Sequence, residues 1–160
     1  KCKECVFGFY IAARPKQFTP ERKQHRAHGN PQQHKTPNVM RLYHATNKVG
    51  ADGIIETGIM MRGQNGSYGG AIYFSPSAQA TKKRARECGY LVMADVYVGK
   101  TKVETNVAPD MYFQRLNAMG YDSIRGSWNQ EGDEYVVYNW DQVWVYVVIP
   151  FEKVDWNLLP

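Results

Sequence analysis

Short runs of hydrophobic residues, separated by glycine, proline and asparagine, fill the chain from Val39 onward. Most of these runs are rich in β-branched and aromatic residues, which is typical of strands. The longest, GDEYVVYNWDQVWVYVVI at 132–149, predicts one long strand or two consecutive strands. The other runs predict strands at VMRLYHAT (39–46), AIYFS (71–75) and YLVMADVYVG (90–99), a continuation or turn at KTKVET (100–105), and a short strand or turn at YDSIRG (121–126).

Three short helices are predicted between the strands from apolar spacing, capping residues and glycine stops. Because strands dominate and the helices are interspersed among them, the mixed order predicts an α+β fold. The helices are predicted from Asn47 as N-cap to Ile55 with Gly58 as stop, from Ser75-Pro76 to about Cys88 with Gly89 as stop, and from Pro109 to Met119 with Gly120 as stop.

The first 38 residues differ from the rest in pattern and in charge. Hydrophobic periodicity disappears in residues 14–38, although the apolar run at 5–13 can form a short strand or helix docked on the main domain. Seven Lys or Arg against one acidic residue give residues 14–41 a charge of +6, whereas eleven bases and thirteen acids give residues 42–160 a charge of −2. We therefore predict a basic arm or linker at 1–38 and a folded domain at 39–160. Such an arm either stays solvated or binds acidic protein or nucleic acid.

The length, composition and cysteine count indicate what class of protein this is and where it is expected to be located. A chain of 160 residues that is 43% hydrophobic suits one globular domain with a core. No run reaches transmembrane length and no signal-peptide pattern is present, so no membrane partner is expected. The three cysteines are an odd number, with Cys2 and Cys5 close together and Cys88 distant, and so do not indicate a disulfide framework, which favours a reducing, intracellular location in the cytoplasm or nucleus.

Four residues of the N-terminal segment have side chains that zinc prefers: Cys2, Cys5, His25 and His28. The Cys-x-x-Cys half is a recognised ligand spacing. The histidine pair is spaced more tightly than the usual three to five intervening residues, and two prolines lie between the pairs. We therefore predict no metal site, with zinc held by these four residues as the alternative.

Three polar or ionisable residues lie in the predicted strands. His44 lies within LYHAT, Tyr73 lies within GGAIYFS after the glycine-rich loop RGQNGSYGG (62–70), and Glu134 lies at the head of the longest apolar run. Each alone is ordinarily structural: a strand histidine or tyrosine usually packs in the core, and a strand-end carboxylate usually points into water. Their order, flanking residues and spacing together favour a functional site.

These segments resemble the catalytic domain of the poly(ADP-ribose) polymerase family, the diphtheria-toxin-like ADP-ribosyltransferases, whose signature is a His, a Tyr and a Glu on three strands. LYHATN with its following helix, GGAIYFSPSAQATKK, YLVMADVYVGK, GYDSIRG and DEYVVYNWDQVWVYVVI each resemble one segment of that domain. The resemblance covers residues 39–150. It implies two packed, mostly antiparallel sheets with short helices around an NAD cleft.

The resemblance also implies a role for each matched residue. His44 would bind the adenine-side ribose, Tyr73 would stack on nicotinamide, and Glu134 would contact the 2′-hydroxyl of the nicotinamide ribose. Thr81 and the backbone of Ala45 would bind the carboxamide. Glu134 would be the catalytic residue, because a fixed carboxylate in a partly dry cleft stabilises the oxocarbenium-like transition state of glycosidic cleavage.

The chain departs from the family pattern at several positions. Ala45 replaces a glycine, and Arg84 stands where many members have a second aromatic that sandwiches nicotinamide, a role for which Tyr68 is the substitute candidate. The stretch from Gly99 to Asp122 is short for the loop that shapes acceptor binding, and the helical regulatory domain of the family is not matched. The resemblance therefore implies transfer of a single ADP-ribose from NAD to an acceptor, either another protein or the protein itself.

Two other functions stay open from the sequence. A catalytically silent module of the same fold would bind NAD or a partner without turnover, although silent members usually lose one of the three signature residues. A nucleic-acid-binding module would use the basic arm, but such modules place stacking aromatics among the bases, and Phe18 is the only Phe, Tyr or Trp in the basic stretch 14–38.

Overall fold

Two β-sheets, one of three strands and one of four, form the framework of the part of the chain described by the computed structural model. The described residues are 38–85, 88–128, 130 and 132–160. The predicted arm up to residue 37 and the zinc candidates Cys2, Cys5, His25 and His28 lie outside them. Within the described part the protein is α+β, with two mostly antiparallel sheets and short helices, as predicted for the fold class.

The strands and helices follow one another in short segments. Single-turn 3₁₀ helices occupy Trp140–Gln142, Phe151–Lys153 and Trp156–Leu158. The longer elements are β1 Val39–Thr46, α1 Lys48–Thr57, β2 Ile72–Phe74, α2 Ala78–Arg84, β3 Tyr90–Tyr97, β4 Thr101–Glu104, α3 Phe113–Ala118, β5 Ser123–Gly126, β6 Glu134–Val137 and β7 Val143–Pro150.

The two sheets meet along one seam. The first has the order β1-β3-β7, and the second has the order β2-β6-β5-β4 with β4 parallel to β5. At the seam, Tyr43 N donates to Ser75 O at 2.9 Å and Ser75 N donates to Tyr43 O at 2.8 Å. This bridge holds the open edge of β1 against the end of β2.

Both faces of the four-stranded sheet are covered. On one face, Ile72, Phe74 and Val137 join residues of the first sheet and of α1 in the larger core cluster. On the other face, Ile124 and Val136 pack with α3 and the glycine-rich loop in a second cluster. The alternation along β6 therefore places neighbouring side chains in different cores, as the period of a strand requires.

The local signals of the first helix are confirmed. The Asn47 side chain accepts a hydrogen bond from Gly50 N, and α1 ends at Gly58, whose φ of 68° is left-handed. The longest apolar run forms two consecutive strands, β6 and β7, separated by the 3₁₀ turn at Trp140–Gln142.

The predicted start of the second helix at Ser75-Pro76 is wrong. Ser75 is engaged in the bridge to Tyr43, so its backbone stays extended. Ser77 is the N-cap instead, with its side chain accepting from Ala80 N, and α2 ends at Arg84 rather than near Cys88.

The third helix and the segment at 100–105 also differ from prediction. A turn in which Met111 N donates to Ala108 O precedes α3, which therefore starts at Phe113 and not at Pro109. Residues 101–104 form β4, which leaves the first sheet and pairs with β5 in the second. None of the helices within the described ranges is long and apolar enough to cross a membrane.

Candidate functional site

A cleft of about 150 Å³ lies at the seam between the two sheets. Strand β1 and helix α2 provide one side of it, and strands β2 and β6 provide the other. Five of the six predicted site residues line this cleft: His44, Ala45, Tyr73, Thr81 and Glu134.

The His44 ring is fixed by a backbone acceptor. Its Nδ1 lies 2.7 Å from the Tyr73 carbonyl oxygen, and since a carbonyl only accepts, Nδ1 carries the hydrogen. Burial lowers the pKa of His44, with the hydrogen bond to Tyr73 opposing it, so the ring is neutral at pH 7. The second nitrogen, Nε2, is consequently a hydrogen-bond acceptor suited to a hydroxyl donor.

Ala45 contributes its backbone N–H and C=O to the cleft, and not its side chain. Tyr43 directs its N–H and C=O away from β3, toward Ser75, and backbone groups two residues apart in a strand point to the same side. Ala45 therefore directs its own N–H and C=O toward the same open edge, beyond the bridge. Because Ala45 lies in regular strand opposite Leu91, an alanine fits there without backbone strain.

Tyr73 is anchored at its hydroxyl. The hydroxyl donates to Gly69 O at 2.6 Å and accepts from Tyr68 N at 2.9 Å. A Cβ on Gly66 would overlap this hydroxyl, so the glycine-rich loop approaches the ring closely only because residue 66 has no side chain. Burial raises the pKa of Tyr73 to about 12, so the anchor is a neutral phenol.

Thr81 lies on the face of α2 that is turned toward the cleft. It is buried, and its hydroxyl donates to Ser77 O at 2.9 Å, one turn earlier in the helix. The donor is thus used within the helix, and the hydroxyl oxygen retains acceptor capacity toward a ligand N–H.

Glu134 begins β6 on the same face of the sheet as Tyr73. Val136 pairs with Tyr73, and Glu134 lies two residues from Val136, so the three side chains share a face. Among the described residues, Glu134 Oε2 is buried without a hydrogen-bond partner. Burial raises the pKa of Glu134, while Arg84 opposes that shift. A buried, unsatisfied carboxylate oxygen in a cleft is an expensive arrangement that a bound hydroxyl group would relieve.

Tyr68 does not line the cleft, so its predicted role as a second nicotinamide-facing aromatic is wrong for this structure. It is fully buried in the second core cluster with Ile124 and Val136. Its hydroxyl occupies the space that a side chain at Gly126 would need, at 2.6 Å from the position of such a Cβ. Tyr68 therefore packs against Gly126 on β5, and Gly126 is the register partner of Glu134 on β6.

A second cavity of about 400 Å³ adjoins the cleft at His44, which lines both. Its walls come from the end of β1, from α1 and from the chain after α1, including Thr46, Ile54 and Met60. Sequence reasoning did not find this cavity, because its residues form an ordinary amphipathic helix and loop. The signal present was the small residue Gly50: a Cβ there would collide with the Thr46 hydroxyl.

Within the described ranges, no group of three or more His, Cys, Asp or Glu side chains is placed to hold a metal ion. No family model matches the chain, and no curated protein matches it.

Proposed function

We propose that the protein transfers ADP-ribose from NAD to an acceptor, with release of nicotinamide, in the manner of the poly(ADP-ribose) polymerase-like enzymes that its segments resemble. The single observation that supports this most is the convergence of His44, Tyr73 and Glu134, from three strands, on one cleft. The proposed fold is that of the ADP-ribosyltransferase domain, of which the two sheets and short helices are the coarse outline.

The two cavities suit a ligand with two heterocyclic ends. NAD has a nicotinamide riboside and an adenosine joined by a pyrophosphate. In the proposed complex nicotinamide occupies the cleft beside Tyr73, and adenosine occupies the mostly apolar second cavity. His44, which lines both, then lies at the adenine-side ribose and accepts from its hydroxyl through Nε2.

The carboxamide of nicotinamide matches the edge of β1. A primary amide has one acceptor oxygen and an N–H₂ donor, and Ala45 offers one N–H and one C=O toward the open edge. This pairing repeats the geometry of the Tyr43–Ser75 bridge, so the ligand amide continues a strand-like ladder. In the proposed complex the Thr81 oxygen, whose hydrogen is donated to Ser77 O, accepts the remaining amide hydrogen.

Glu134 is assigned the transfer step. Breaking the bond between ribose and nicotinamide leaves cationic character on the sugar, and the pyridinium departs as neutral nicotinamide without a general acid. A carboxylate held in a cleft with little water stabilises that developing charge strongly, since no solvent must reorganise around it. Its buried oxygen also provides an acceptor for a ribose hydroxyl, which fixes the sugar beside it.

The Glu134 carboxylate is also assigned the activation of the acceptor. After nicotinamide departs, Glu134 takes a proton from the incoming nucleophile, and the new bond forms at the sugar carbon that nicotinamide has left. We propose a protein side chain as the nucleophile and a single ADP-ribose as the product.

Binding is tested apart from catalysis by thermal shift. NAD and nicotinamide each stabilise a protein that binds them only when folded, to a degree set by ligand concentration over Kd. We expect both to raise the Tm of the wild type, and benzoic acid, which lacks the amide hydrogens, to raise it far less. No shift at millimolar NAD or nicotinamide would contradict the proposed cleft, whereas a shift without any nicotinamide release would favour the silent binding module.

A further inference from the structure

Arg84, the last residue of α2, connects the two sides of the cleft. Its Nη2 donates to the backbone carbonyl of Gly132 at 2.7 Å. Gly132 lies two residues before Glu134, and its φ of 104° is a conformation that other residues rarely adopt. The hydrogen bond therefore ties α2 to the bend from which the Glu134 strand starts.

Arg84 and Glu134 also line the same cleft. Glu134 follows the bend that Arg84 holds, and the Arg84 cation acts to lower the pKa of its carboxyl. Because the Glu134 carboxylate is partly buried, a nearby cation acts on it more strongly than it would at the surface. Arg84 of helix α2 thus places a positive charge at the position where many members of the family that the chain resembles have an aromatic ring.

We propose that Arg84 is a positioning residue for Glu134: it fixes the Gly132 bend that orients the carboxylate, and its charge keeps that carboxylate ionised in the cleft. This inference deepens the proposed function, because it explains how a chain without the second aromatic keeps its catalytic base competent near neutral pH. It assigns to Arg84 a role through Glu134 and not a contact with substrate.

Two opposing influences act on the Glu134 carboxyl. Burial raises its pKa, and the Arg84 cation lowers it. A protonated Glu134 neither stabilises a cation nor accepts a proton, so activity is lost as the pH falls through its pKa. Removing the Arg84 charge leaves burial unopposed, and the loss of activity then begins at a higher pH.

Among the described residues, the other charged and titratable groups around Glu134 do not replace Arg84. The hydroxyls of Tyr68 and Tyr73 are neutral, since each has a pKa raised to about 12. His44 is neutral at pH 7 because burial lowers its pKa, and Asp133 is engaged by Arg125 at 2.7 Å. Within the part of the chain that the structure describes, the titratable and charged groups near Glu134 are Arg84, His44, Tyr73, Tyr68 and Asp133, together with Cys88 in the cleft wall.

The direct test is the titration of Glu134 in the full-length protein without ligand, followed through the side-chain carboxyl carbon by NMR after selective ¹³C labelling of glutamate. The Glu134 signal is identified by its absence in Glu134→Gln. We expect Arg84→Gln to move the titration midpoint to higher pH and Arg84→Lys, which keeps the charge, to move it much less. Lys83→Gln, one residue away on the same helix, removes an exposed charge outside the cleft and serves as the control.

An unchanged midpoint in Arg84→Gln, or equal shifts in Arg84→Lys and Arg84→Gln, would overturn the proposal. This titration needs no catalysis, so it succeeds or fails separately from the proposed function. The activity readout is the pH profile of nicotinamide release. Below neutral pH, Arg84→Gln should lose roughly tenfold relative to wild type, the scale expected for removing one nearby opposite charge from a carboxylate, and Lys83→Gln should follow the wild-type profile.

Discussion

The Nδ1 atom of His44 and the backbone carbonyl oxygen of Tyr73 are 2.7 Å apart and joined by a hydrogen bond. The contact crosses the seam, because His44 belongs to β1 of the first sheet and Tyr73 to β2 of the second. It also selects the histidine tautomer, so that the free nitrogen is an acceptor. This hydrogen bond joins the two sheets beside the Tyr43–Ser75 bridge, and it leaves His44 with one acceptor nitrogen.

The tautomer predicts that NAD is preferred over NADP. In the proposed complex the 2′-hydroxyl of the adenine-side ribose donates to His44 Nε2, whereas the 2′-phosphate of NADP would bring acceptor oxygens against the same lone pair. Leaving such groups unpaired costs about 1–3 kcal/mol, so we expect NADP to bind at least roughly tenfold more weakly. Calorimetry with both dinucleotides checks this. Nicotinamide, which has no adenine-side ribose to contact His44, is the control ligand. Equal affinities would contradict the assigned tautomer.

Burial of His44 predicts that part of the folding stability is lost as the pH falls. Its pKa in the folded protein is lower than the ordinary 6.5, because burial disfavours the charged ring. A depressed histidine pKa means that the unfolded chain binds the proton more readily, so this contribution to stability is complete above pH 6.5 and declines as the pH falls below it. Replacing the group with Gln removes the titration. The free energy of unfolding of His44→Gln should therefore decline less than that of wild type between pH 7 and pH 5 in denaturant titrations, and parallel declines would contradict the prediction.

Two buried tyrosines should respond differently to loss of the hydroxyl. The Tyr138 hydroxyl donates to Tyr68 O at 2.7 Å inside the second core, whereas the Tyr68 hydroxyl is buried without a partner among the described residues. Tyr138→Phe leaves a buried carbonyl unsatisfied and should cost about 1–2 kcal/mol. Tyr68→Phe removes an unsatisfied group and should leave the free energy of unfolding unchanged or higher. Chemical denaturation compares the two variants, which lose the same atom, and equal destabilisation would show that Tyr68 has a partner after all.

The elements with local signals were predictable from the sequence. Asn47 and Gly58 bound α1 because a capping side chain and a left-handed residue act within one helical turn. The start of α2 was not predictable in the same way: Ser75 and Ser77 are both good caps, and the bridge from Ser75 to the distant Tyr43 decides between them. The pairing of β4 with β5 likewise depends on tertiary contacts that no local pattern specifies.

The same difference between local signals and tertiary contacts decides which parts of the candidate site were predictable from the sequence. Their places in the predicted strands, together with the family resemblance, identified His44, Tyr73 and Glu134, and the structure brings them to one cleft. Tyr68 was misplaced because a tyrosine in a glycine-rich loop gives no sign of whether its ring faces a ligand or a core. The contact between Arg84 and Gly132 joins residues 48 positions apart, so sequence alone gave only the departure from the family pattern and not its consequence.

The most direct measurement of the central claim is transfer from labelled NAD by wild type and by Glu134→Gln, with nicotinamide release followed in the same samples. Gln keeps the shape and removes the charge, so folding should survive, and Glu152→Gln, an exposed glutamate away from the cleft, is the matched control. We expect wild type and Glu152→Gln to release nicotinamide and label protein equally. Glu134→Gln should lose about a hundredfold or more of transfer, the scale of one preorganised electrostatic contact, while still binding NAD. Transfer by Glu134→Gln at the wild-type rate would contradict the account.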